Sequence, residues 1–207
     1  PVVKSYKEKL EVIPIGIKIP HIDLRQKFAN NEKIKLIYVG RIEKKKGLDT
    51  LIKIMKKLDP EKFQLFIVGD GPYRNTLIRK INKAKLNNII YKGKISEKEL
   101  HRLYYISEIF ILLSEYEAHS VALTEAMAYS AVPIVTDVGG NRYVVNDNLG
   151  YLIEYPVNVN KVTKTLNLLW NNKNLIFSKA INARKTVITR YNIDKIVKKI
   201  AKIYEKM

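Results

Sequence analysis

Six short and almost uninterrupted apolar runs, at residues 34–39, 63–68, 88–91, 109–113, 132–136 and 151–154, punctuate this chain, with longer amphipathic stretches between them. A strand with one wet face alternates apolar and polar side chains, whereas a run that is apolar throughout is a strand buried on both faces. The pattern therefore predicts an α/β fold, a parallel six-stranded sheet with helices on both faces, wound as a right-handed β-α-β series. A mononucleotide-binding sheet is the expected architecture.

The connecting segments carry the helical period. Leu48, Leu51, Ile52, Met55 and Leu58 recur on one stripe while Lys53, Lys56 and Lys57 fall off it, so 48–58 reads as a helix ended by Asp59-Pro60. Segments 73–85, 97–105 and 121–130 read the same way, with Ser96 and Glu99 forming a capping box. After Pro156 the strands stop and 159–170, 175–189 and 193–206 read as successive helices. The last repeats Ile193, Ile196, Val197, Ile200, Ile203 and Tyr204 on one face.

Charge is uneven. The 207 residues hold 38 Lys+Arg against 20 Asp+Glu, a net +18, and from residue 157 onward twelve of those cations face only Asp194 and Glu205. Such a balance favours anionic partners: nucleotides, an acidic membrane surface or nucleic acid. Zero cysteines exclude disulfides, a zinc ribbon and thiol catalysis, and fit a reducing compartment, with the cytoplasm as the default. The longest apolar run, 109–113, is far short of the ~20 residues of a membrane-spanning helix. The chain opens Pro-Val-Val-Lys-Ser-Tyr-Lys without an initiator Met, so a fragment of a longer protein is expected. Residues 1–33, with Pro14, Gly16 and Pro20, read as a linker or the edge of a preceding domain.

Three places carry candidate chemistry. At the carboxyl end of the first strand, Gly40-Arg41 is followed by Lys44-Lys45-Lys46-Gly47 just before a helix. Ligands of open α/β sheets bind beyond those strand ends, where a helix N-terminus and nearby cations favour phosphate. Gly40 would admit the backbone to a ligand, and Arg41 and Lys46 would neutralise a diphosphate; a merely solvated lysine-rich loop is the competing reading. Gly69-Asp70-Gly71-Pro72 reads as a tight turn into a helix whose first position is set by Pro72, with no catalytic role for Asp70. Third, Glu117 lies just after the fourth strand and Glu125 inside a helix of small apolar residues, Ala122 through Ala128. A carboxylate there is costly to desolvate unless it meets hydrogen-bond donors such as sugar or ribose hydroxyls; the alternative is two exposed surface acids. His21, His101 and His119 are too isolated to suggest a metal site, and Ser114, Ser120 and Thr124 lack the partners of a hydrolase triad.

The joint order of these signals is more specific than any one of them. Gly40-Arg41, Lys46-Gly47, Gly69-Asp70-Gly71-Pro72, Gly93-Lys94-Ile95-Ser96, Glu117 and Glu125 with seven residues between them, Ala126-Met127-Ala128, Pro133 and Gly139-Gly140 closely resemble the carboxyl-terminal domain of family-four retaining glycosyltransferases. The resemblance runs from about Pro14 to the C-terminus. It implies one Rossmann-like half of a two-domain GT-B architecture: a nucleotide-sugar-binding unit at 34–156 completed by helices at 157–207, with the acceptor held by an N-terminal domain absent from this chain. It further implies that Arg41 and Lys46 bind the donor diphosphate, Glu125 the ribose hydroxyls and Glu117 the transferred sugar. Backbone around Lys94 and Ile95 would meet the base, and the loop and helix start Ala118, His119, Ser120, Val121, Ala122, Leu123 and Thr124 would offer amides to phosphate and sugar. No cofactor is implied beyond the substrate, a UDP- or GDP-linked sugar, and no metal.

Several positions depart from that family's pattern. Ala118-His119-Ser120 replaces a Gly-aromatic-Gly, Ser130 a glycine, Tyr143 a glutamate and Ile15 an asparagine. The rival expectations are a related nucleotide-sugar epimerase and, from the charge and the Lys/Tyr-rich tail, a nucleic-acid-binding module, against which no helix-turn-helix, RNP-type or zinc motif stands. The lysines of 161–206 would draw the parent protein to an anionic membrane face, or merely keep it in solution.

Overall fold

A computed structural model describes residues 11–29 and 32–205. The chain runs through α1 (Leu24–Phe28), β1 (Ile34–Val39), a 3-10 turn (Lys44–Lys46), α2 (Leu48–Lys57), β2 (Phe63–Val68), α3 (Arg74–Lys83), β3 (Ile89–Gly93) and α4 (Glu97–Ile106). It continues through β4 (Ile109–Leu112), α5 (Val121–Ala128), β5 (Val132–Thr136), α6 (Asn141–Val144), β6 (Tyr151–Ile153), α7 (Val159–Asn171), α8 (Lys173–Arg190) and α9 (Ile193–Tyr204).

All six expected strands form one sheet in the order β3-β2-β1-β4-β5-β6, every neighbouring pair parallel. Every residue of β4 and β5 is buried, as continuous apolar runs between two helical layers must be. The chain leaves β1 toward β2 on one side and returns to place β4 on the other. The carboxyl ends of β1 and β4 thus flank the point where strand order reverses, the usual ligand position in such sheets. None of the described helices is long and apolar enough to cross a membrane.

Boundaries shift for local reasons. The register between β2 and β3 slips at Ile67/Val68, which carries the ladder on to Gly93. Pro72 does not open α3: it sits in the preceding turn, and Tyr73 occupies the position before the helix. Ser96 caps α4 by accepting from the Glu99 amide at 3.2 Å, but the Glu99 carboxylate turns to Lys92 at 3.4 Å instead of closing the box. On α9 the expected apolar stripe is only partly covered: Ile196 is buried, whereas Val197 and Tyr204 are exposed. Lys206, the last position expected in that helix, and residues 1–10 of the expected linker lie outside the described residues.

Residues 16–29 lie against this body. The Ile17 amide donates to the Tyr191 carbonyl at 2.8 Å and the Ile193 amide donates to the Ile17 carbonyl at 3.0 Å. Arg184 of α8 donates to the carbonyls of Pro20, at 2.7 Å, and of Ala128. Phe28 meets Phe177 edge-on, ring centres 5.5 Å apart. Lys27, buried, donates to the carbonyls of Tyr104 (3.1 Å), Tyr105 (2.8 Å) and Ser107 (2.7 Å), closing the C-terminal end of α4.

Candidate functional site

The loop after β1 and the loop after β4 are locked together. Gly47 adopts φ +74°, and a Cβ there would stand 2.1 Å from the Leu113 carbonyl oxygen, so only glycine lets the turn before α2 rest on the end of β4. The Glu115 amide then donates to the Lys45 carbonyl at 2.9 Å.

Between these loops lies the central ion pair. Lys46 Nζ approaches Glu117 Oε1 at 2.8 Å, and Ser114 Oγ donates to the same oxygen at 2.7 Å. Glu117 is 8% exposed, which excludes its reading as a surface acid. A carboxylate this buried persists because both a cation and a hydroxyl compensate its lost hydration. Behind Ser114, Thr136 Oγ1 donates to the Ser114 carbonyl (2.7 Å) and Asn141 Nδ2 to the Thr136 carbonyl (3.0 Å), tying the loop to β5 and α6. Lys46 and Ser114 both engage Oε1; Glu117 Oε2 carries no hydrogen bond among the described residues.

The pair lines a cleft of about 390 Å³. Gly40, Arg41, Lys46, Glu117, His119, Ser120, Val121 and Ala122 of the expected site residues line it, joined by Lys45 of the same lysine-rich loop and by Tyr38 and Glu43, which the sequence did not single out. Arg41 is not free: its Nε lies 2.9 Å from Glu43 Oε1, and Lys45 Nζ lies 3.5 Å from Glu43 Oε2. Tyr38 Oη donates to the Arg41 carbonyl at 2.8 Å, and burial, then the Glu117 and Glu43 carboxylates, hold its hydroxyl protonated far above the usual phenol range. The signal for Glu43 was local. An acid two residues past Arg41 is brought back beside it by a tight turn in which the Glu43 amide donates to the Arg41 carbonyl at 3.0 Å.

At the start of α5 the Leu123 amide is already taken by Ser120 Oγ at 3.2 Å. Leu123 and Thr124 are buried, away from the cleft, and Thr124 Oγ1 donates back to the Val121 carbonyl at 2.9 Å. The amides of Val121 and Ala122 remain at the cleft with no hydrogen bond among the described residues. The helix N-terminus adds partial positive charge there. Ala118 is exposed and does not line this cleft. His119 packs near Tyr191, ring centres 6.2 Å apart, and its buried Nε2 has no hydrogen-bond partner among the described residues.

Glu125 faces a second cleft of about 500 Å³, which shares Val121 with the first and is closed by the segment 16–20, Glu97, His101 and Tyr129. It is half-buried, and Tyr104 Oη donates to its Oε2 at 3.0 Å. Lys94 and Ile95, on the β3–α4 loop, line neither of these clefts. Among the described residues no group of three or more His, Asp or Glu side chains is placed to hold a metal ion.

The comparison with known proteins decides the family. A family model described as "Glycosyl transferases group 1" matches residues 21–186. This chain belongs to that family. The chain is 30% identical over 150 residues to an "Uncharacterized 41.2 kDa protein in cps region" of Klebsiella pneumoniae, covering 70% of this chain and 40% of that one. It is 28% identical over 179 residues to the N-acetyl-alpha-D-glucosaminyl L-malate synthase of Bacillus anthracis, covering 85% and 46%. The chain thus spans a little under half the length of these curated relatives. Among solved structures, Anabaena HepE in complex with UDP-glucose superposes with a TM-score of 0.76 at 20% identity, over 89% of this chain and 52% of that one. The six-stranded sheet is the Rossmann-like α/β fold of GT-B glycosyltransferases.

Proposed function

We propose that this group 1 glycosyltransferase chain binds the donor, a nucleoside diphosphate sugar linked through UDP or GDP, in the two adjoining clefts, and that the acceptor is held by a domain outside it. The observation that carries the reading is the Lys46–Glu117 pair, buried where strand order reverses and backed by Ser114. In a transfer that breaks the bond between sugar and diphosphate, negative charge grows on the leaving diphosphate. Lys46, Arg41 and the amides of Val121 and Ala122 converge where that charge would develop, and fixed donors there lower the barrier without reorganising. They supply the positive charge that a metal ion would otherwise bring. Glu117 Oε2 accepts from hydroxyls of the hexose being moved, and Glu125 accepts from the ribose. Retention of anomeric configuration follows the family resemblance. HepE, similar in fold, was solved with UDP-glucose, which supports a donor of this class.

Calorimetric titration of the chain with UDP, GDP, ADP and UDP-glucose at moderate salt tests this. Binding of one diphosphate, weakened by Lys46→Ala, is the expected result. Glu117→Gln should weaken UDP-glucose, or its GDP counterpart, more than the free diphosphate. Absence of binding by every nucleotide overturns the proposal.

A further inference from the structure

Tyr104 sits on α4 with no exposed surface, outside the lining of both clefts. It is held from three directions. Its carbonyl accepts from the Lys27 ammonium at 3.1 Å, its ring stacks on Tyr129 with centres 5.7 Å apart and planes inclined by 23°, and its hydroxyl donates to Glu125 Oε2 at 3.0 Å. That last bond is the only one its hydroxyl makes among the described residues. Burial, then the Glu125 carboxylate, raises the phenol well above its ordinary pKa, so the hydroxyl stays a donor.

The consequence falls on Glu125. Its Oε1 carries no hydrogen bond among the described residues, and without Tyr104 its side chain would sample several rotamers at the mouth of the second cleft. A rigid, buried donor on one oxygen fixes where the other points. We propose that Tyr104 is a positioning residue: by anchoring Glu125 Oε2 it presents Oε1 to the vicinal hydroxyls of the donor's ribose, and so makes the site select ribonucleotides over deoxyribonucleotides. The inference rests on the donor-site reading above and adds to it the residue that sets sugar selectivity within the nucleotide.

The test titrates wild type and Tyr104→Phe with UDP, GDP and their 2′,3′-dideoxy counterparts. Wild type should prefer the ribo form of the diphosphate it binds. Tyr104→Phe, which removes one oxygen and keeps the stacked ring, should lose about 5–10-fold in affinity for the ribo form, the worth of one hydrogen bond. Its dideoxy affinity should stay within about twofold of wild type by the same bookkeeping, which also shows that the variant is folded. Equal loss for both forms would mean a purely structural role and would overturn the proposal, as would an undiminished ribo preference in Tyr104→Phe or none in wild type. If wild type binds no nucleotide, the donor-site reading fails and this inference fails with it.

Discussion

The Gly140 amide donates to the Glu117 carbonyl at 2.7 Å, and a Cβ on Gly140 would stand 2.0 Å from the Ala118 carbonyl oxygen. Gly139, at φ +48°, stands as close: its Cβ would lie 1.9 Å from the Glu117 carbonyl oxygen. The pair of glycines is therefore the seat on which the buried glutamate's backbone rests.

Adding one methyl group there should unseat the loop. Gly140→Ala keeps an ordinary φ, so its cost is the collision alone, and overpacking of this kind costs typically about 1–3 kcal/mol. The expected outcome is a Tm lowered by several degrees together with loss of UDP-glucose or GDP-sugar binding. A variant with wild-type affinity for the sugar nucleotide would show that the seat does not position Glu117.

Removing the two cleft cations should have unequal effects. Lys46 is mostly buried against Glu117, whereas the Arg41 side chain is 71% exposed and paired with Glu43. Lys46→Ala should weaken diphosphate binding by about 1.5–3 kcal/mol, a charge-assisted contact, and Arg41→Ala by less because of solvent screening. Nucleosides without phosphate should bind all three proteins alike. Glu43→Gln, which releases Arg41 and Lys45 from a competing carboxylate, should tighten the diphosphate; calorimetry reads each case.

Much of this fold was legible in the chain. Every expected strand formed, although only the inner ones are buried on both faces and the edge strands β3 and β6 are partly covered; the four helices expected between strands differ from their spans only at their ends, whereas the short α6 was not expected. Partners across the fold were not legible. Lys46 and Glu117 are 71 positions apart, and nothing near Glu125 announces that Tyr104 will reach it. Glu43 was overlooked because a lysine-rich loop draws attention to its cations, although its neutralising acid lies within the same loop. Lys94 and Ile95, taken from the resemblance alone, have no counterpart in the lining of either cleft.

Ser130 offers a stability test. It is buried, adopts φ +59°, and its Oγ has no hydrogen-bond partner among the described residues. The left-handed conformation costs a non-glycine residue about 1–2 kcal/mol and an unsatisfied buried hydroxyl about as much, against about 0.4–1 kcal/mol of extra unfolded-state entropy for glycine. Ser130→Gly should therefore stabilise the protein by about 1–3.5 kcal/mol on those figures and raise Tm by several degrees. An unchanged or lower Tm in calorimetric scans would contradict it.

Lys27 gives the protein a pH signature. Burial, opposed by the Glu108 carboxylate and reinforced by Arg184, brings its pKa down to about 7. In the unfolded chain the same amine titrates near 10.4, so between about pH 7 and that value the unfolded state binds the extra proton. Stability from this group therefore rises as pH increases through that window and is least below it. Lys27→Met removes the titration, leaves three carbonyls without their donor and takes away a cation that acts on Glu108, an expected loss of about 3–5 kcal/mol. Chemical denaturation at pH 6.5 and pH 9 should show wild type gaining on the variant at the higher pH; a constant gap would place the Lys27 titration elsewhere.

Residue 17 is gripped on both sides of residue 192, by the Tyr191 carbonyl and the Ile193 amide, and it forms part of the wall beside Glu125. During synthesis all six strands, the Lys46–Glu117 pair and every residue lining the first cleft precede residues 191–193 in the chain. The second cleft's outer wall, by contrast, is stitched down by Arg184 and by the junction of α8 and α9, which are made later. The chain that lines the first cleft is thus complete well before the chain that holds the second cleft's wall in place.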